Sequence, residues 1–145
     1  MGNTDQRSAV ALPSRRAIIQ FYDLHPLASD CGVLLSATAY AGQDDASKAY
    51  QAFEQEAQWL GRAARAEIPW LPPEQCTLGH IDPALERLNQ AVPQIKKNVL
   101  NACAQTVAAD NVIQEREAEL LRAIADALDC PIPPFVSMQS VVTPA

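Results

Sequence analysis

The chain alternates between stretches where apolar residues recur every three or four positions and short polar or proline-rich breaks. The longest such stretch covers residues 44–66. Ala46, Tyr50, Phe53, Ala57, Leu60 and Ala64 repeat at steps of four and three, which keeps one face of a helix apolar throughout. Asp44 and Asp45 put capping oxygens and negative charge at its start, and Pro69 closes it. Residues 28–41, ASDCGVLLSATAYA, are apolar nearly all round and predict a central helix buried on every side. Ser29 or Asp30 is expected to cap it, and Gly42 to stop it. Val33-Leu34-Leu35 taken alone is equally compatible with a short buried strand.

Asp82-Pro83 has the form of a helix start, cap then proline. Leu85, Leu88 and Val92 give that short helix one apolar face as far as Pro93. Pro93 opens the next helix, with Ile95, Val99, Leu100, Cys103 and Val107 on one side and Lys96, Lys97, Asn101 and Gln105 on the other. A last helix over 115–128 turns Leu120, Leu121, Ile124 and Leu128 inward, and Cys130-Pro131-Ile132-Pro133-Pro134-Phe135 forbids its continuation. Residues 67–81 read as a proline-rich connector pinned to the bundle by Trp70, Leu71 and Leu78. Its Pro69-Trp70-Leu71-Pro72 matches the P-x-x-P pattern, but pinning accounts for it better than a groove-binding peptide does. Residues 1–27 form a lead-in whose apolar end (Ile18, Ile19, Phe21, Tyr22, Leu24) rests on the core, and residues 136–145 a loose tail. With no clear strand and no internal repeat, the expectation is all-α: a compact bundle of about five helices over residues 28–135.

Composition bounds the function. The chain has 145 residues, room for one ordinary domain. Its 48% hydrophobic and 19% charged residues support a real core. Eleven Lys+Arg against 17 Asp+Glu give a net charge of -6 with no basic block, which argues against nucleic acid or an anionic membrane as the main partner. No apolar run approaches the roughly 18 residues of a membrane span. The opening MGNTDQRSAV has no signal-peptide core, and Gln6 breaks the myristoylation pattern after Gly2. Cys31, Cys76, Cys103 and Cys130 form no C-x-x-C pair, so reduced packing thiols in a cytosolic setting are expected.

Candidate chemistry is sparse. His25 and His80 are the only histidines, and neither belongs to the H-E-x-x-H that a zinc peptidase needs. Cys76 and His80 are four apart, but a structural zinc needs four ligands, and a nucleophile pair needs an orienting group and an oxyanion hole. No glycine loop matches a phosphate-binding pattern. The turn from Ala108 to Glu117 is the most informative stretch. Asn111 tolerates a left-handed conformation, Ile113 can tuck into the core, and Glu117 can reach back to free N–H groups at the start of the last helix. A sharper alternative gathers Asp110, Glu115 and Glu117 around a divalent cation. Calcium wants six to eight oxygens, and this turn is too short and too poor in ligands for it.

Three stretches carry a family resemblance: DCGVLLSATAYAGQDDASKAYQAFEQEAQWL, the run from Asp82 through Pro93-Gln94-Ile95-Lys96-Lys97, and AADNVIQEREAELLRAIADALDCPIPPF. Together they resemble the TerB-like helical region at the C-terminal end of certain bacterial membrane-bound zinc metallopeptidases, relatives of HtpX and the CAAX prenyl proteases. In that family the turn usually runs alanine, aspartate, glycine, then a threonine or serine cap and a glutamate. Here Asp110 and Glu117 match, Asn111 stands for the glycine, and Gln114 stands for the hydroxyl cap, a poor N-cap. The resemblance implies a non-catalytic accessory domain on the cytoplasmic side. Its zinc and catalytic residues would belong to an upstream peptidase domain. Its partners would be that domain, another protein or, by homodimerisation, a second copy. The alternative is a stand-alone TerB-like protein binding a divalent cation or answering stress.

Overall fold

The computed structural model describes residues 18–109 and 113–131 and the backbone of the pair Val141–Val142. Among them are five α-helices: α1 (Ala28–Gly42), α2 (Ala46–Ala64), α3 (Leu78–Leu88), α4 (Pro93–Val107) and α5 (Glu115–Ala127). The fold is an all-α bundle. A ladder of two residues, β1 (Ile113–Gln114) paired in parallel with β2 (Val141–Val142), is the one departure from the strand-free reading, and it draws the end of the chain back to the start of α5. Asp110, Asn111 and most of residues 136–145 lie outside the described residues.

α1 lies at the centre because it has no polar face. Cys31, Leu34, Leu35, Ala37 and Ala39 are buried, and α2, α3, α4 and α5 all pack on it. Neither Ser29 nor Asp30 caps it. A 3-10 turn, His25–Leu27, with Pro26 inside it, runs straight into the helix, so α1 has no free first turn to cap. Asp30 instead accepts from Arg87 Nε at 3.0 Å. Arg87 also donates to the Pro26 carbonyl and lies 5.1 Å over the Phe21 ring, tying the lead-in to α1 and α3. Leu24 and Leu27 belong to the core, while Ile18, Ile19 and Tyr22 are exposed.

α2 keeps its amphipathic stripe, turned slightly from the expected one. Ala49, Phe53, Ala57, Leu60 and Ala64 are buried, whereas Ala46 and Tyr50 are exposed. Asp45 is the cap, its carboxylate accepting from Ser47 N at 2.8 Å. The helix ends at Arg65, left-handed with φ 55°.

The connector is shorter than the sequence suggested. α3 starts at Leu78, not at Asp82-Pro83, and Pro83 sits inside it. The Thr77 carbonyl accepts from His80 N and Ile81 N and so closes the first turn upstream of the proline. Leu78, expected to pin the loop, is 70% exposed, and Ile68 is buried in its place. Pro69-Trp70-Leu71-Pro72 is committed to the bundle. Leu71 N donates to Ser36 Oγ at 3.2 Å, and Tyr40 Oη donates to the Leu71 carbonyl at 2.7 Å. Trp70 packs among Tyr40, Tyr50 and Phe53 with centroids 4.8–5.4 Å away.

Ile95, Val99, Leu100, Cys103 and Val107 of α4 are buried, as are Leu121, Ile124 and Leu128 at the α5 seam. Leu120 is only half-buried. Truncation of Leu121, fully buried where α5 meets the core, is expected to cost roughly 2–5 kcal/mol. Urea denaturation of Leu121→Ala, read by far-UV circular dichroism, checks this. A loss within 0.5 kcal/mol of zero would contradict the packing described (~0.5 kcal/mol is the scale of surface changes).

Candidate functional site

The residues singled out by sequence fall into three separate places. Glu115 is exposed in the first turn of α5. Glu117 is buried, and its Oε1 accepts from Gln114 N at 2.7 Å. Gln114 is after all the cap of α5, because its side chain takes the Glu117 N–H while the Glu117 carboxylate takes its own, a reciprocal capping box. The low ranking of Gln at caps is overridden here by the paired partner Glu117. Glu117 also lies against α1, where a Cβ on Gly42 would overlap its carboxylate. Gly42 is the last residue of α1, not the stop after it, and it leaves room for a neighbouring side chain. Next to it, Arg116 donates from Nε to the Ala41 carbonyl and pairs with Asp44 at 2.9 Å. The structure therefore gives Glu117 a capping and docking role. Among the described residues no three His, Cys, Asp or Glu side chains are grouped as a metal would require.

Cys76 ends the 3-10 turn Pro73–Gln75, and His80 is exposed in the first turn of α3. His80 Nδ1 is 3.1 Å from Thr77 Oγ1. Burial, with Glu74 adding to it, pushes the Cys76 thiol up to about 11. It is a protonated thiol at neutral pH, the opposite of an activated nucleophile. Cys31 is pushed from 9.0 up to about 12 by burial and then by Asp30. Burial also raises Cys103, with Cys31 and Glu56 contributing.

A large concavity lies elsewhere, between α2 and α4. It is an open groove of about 1140 Å³. One wall is the α2 face carrying Glu56, Trp59 and Arg62. The other is the α4 row of Pro93, Lys97, Asn101 and Gln105, beneath which Leu100 and Ala102 are only 1% exposed. Asp129, Cys130 and Pro131, just past α5, close one end. Among the described residues, α5 packs on α1 and α4 and makes little contact with α2, so none of them covers the outer α2–α4 seam. Trp59 is 43% exposed on its rim. Glu56 is half-buried, and desolvation raises its carboxyl above the usual range. Sequence reasoning did not single out this surface. Its one legible sign was Trp59, a large aromatic that the apolar stripe of α2 passes by.

No family model, no curated protein and no solved structure matches this chain.

Two outcomes test this geometry. Gly42→Ala forces Glu117 out of its seat and is expected to destabilise the fold by roughly 1–3 kcal/mol in urea titration. Loss of stability at high pH is the second. The raised thiols of Cys31 and Cys103 stay neutral in the folded chain after an unfolded chain has ionised near 9.0, so stability is complete below that pH and falls as pH rises towards 12. Cys31→Ala is expected to flatten this fall in denaturation curves collected from pH 8 to about 11. An unchanged slope would mean that Cys31 is not shielded as described.

Proposed function

We propose that this chain is a non-catalytic helical interaction module that docks a partner protein through the α2–α4 groove. The observation that carries the reading is that groove, with an exposed tryptophan on the rim and charged side chains along both walls. Trp and Arg are the residue types that most often anchor protein interfaces. Burial and Glu74 raise the Cys76 thiol, so this candidate nucleophile is not activated by its setting.

Within that reading, the resemblance of residues 28–135 to TerB-like regions supports a more particular role. The module is the accessory C-terminal domain of a bacterial membrane-associated zinc metallopeptidase and works on the cytoplasmic side. The zinc and the catalytic residues then belong to a peptidase domain upstream, and this chain contributes recognition or regulation. A helical module of this kind needs no span of its own, and no helix among the described residues is long and apolar enough to cross a membrane.

The DNA upstream of Met1 tests the particular role directly. The expected result is an open reading frame continuous with Met1 that encodes H-E-x-x-H flanked by apolar spans of about 20 residues. A stop codon in frame just before Met1 would overturn the peptidase assignment and leave the interaction module to stand on the groove alone.

A further inference from the structure

We draw no further inference here: the strongest candidate, the α2–α4 groove with Trp59 on its rim, carries nothing beyond the docking role already proposed, because its walls mix Glu56 and Asp129 with Arg62 and Lys97 and nothing among the described residues shows what covers it.

Discussion

A helix with no polar face cannot be left in water, and α1 is such a helix. The rest of the fold can be understood as the means by which it is covered. α2, α3, α4 and α5 each lay an apolar stripe against it, and Leu34, Leu35 and Cys31 are without solvent contact as a result. Covering α1 on every side requires that neighbours approach closely at some points. At Gly32 a Cβ would lie 2.6 Å from the Pro69 carbonyl, and at Gly42 it would overlap the Glu117 carboxylate. These two glycines are needed for close approach, and neither is there for a turn.

Burial of α1 also sets the terms for its polar atoms. Thr38 satisfies its hydroxyl on the Leu35 carbonyl at 2.9 Å, inside the helix. Ser36 is met by the Leu71 N–H, which turns a buried hydroxyl into an anchor for the connector. A polar group in the core is tolerable when its partner is fixed, and here the partner is the backbone of a loop that would otherwise be free. The aromatic cluster of Tyr40, Tyr50, Phe53 and Trp70 then seals the same loop from outside. The proline-rich stretch is rigid by composition and by attachment, and its P-x-x-P pattern is consumed in packing.

Much of this was legible in the chain. The all-round apolarity of residues 28–41 marks a central helix, and the alternating steps of residues 44–66 mark an amphipathic one, because burial acts on residue type and spacing directly. What was illegible has specific causes. Asp82-Pro83 imitates a helix start, but Thr77 begins α3 earlier through its carbonyl, which sequence does not advertise. Tyr50 satisfies the periodic stripe yet leans outward to join Trp70, so Ala49 takes the buried place. Gln114 ranks low as a cap on average, and only the position of Glu117 makes it a good one here. The groove was the least legible feature. It arises from which helices make little contact, α2 and α5, and such a gap leaves no mark on either helix alone.

That gap separates two sets of residues. Those that hold the fold face α1, and the rows that line the groove face away from it: Glu56, Trp59 and Arg62 on α2, Lys97 and Asn101 on α4. Leu100 is the main exception, belonging to the core and lying beneath the groove at once. A bundle built this way can change its groove chemistry at little cost in stability, since surface substitutions away from caps and core contacts typically stay within about 0.5 kcal/mol. The same separation explains why charged groups on the walls can stand without ion-pair partners among the described residues. At half-exposed positions, water meets most of the cost of an unpaired charge, whereas a fully buried one would have to be neutralised or paired. Glu56 sits at the limit of that tolerance, its carboxyl already raised by desolvation. A cation placed beside it would bring it back towards the ordinary range.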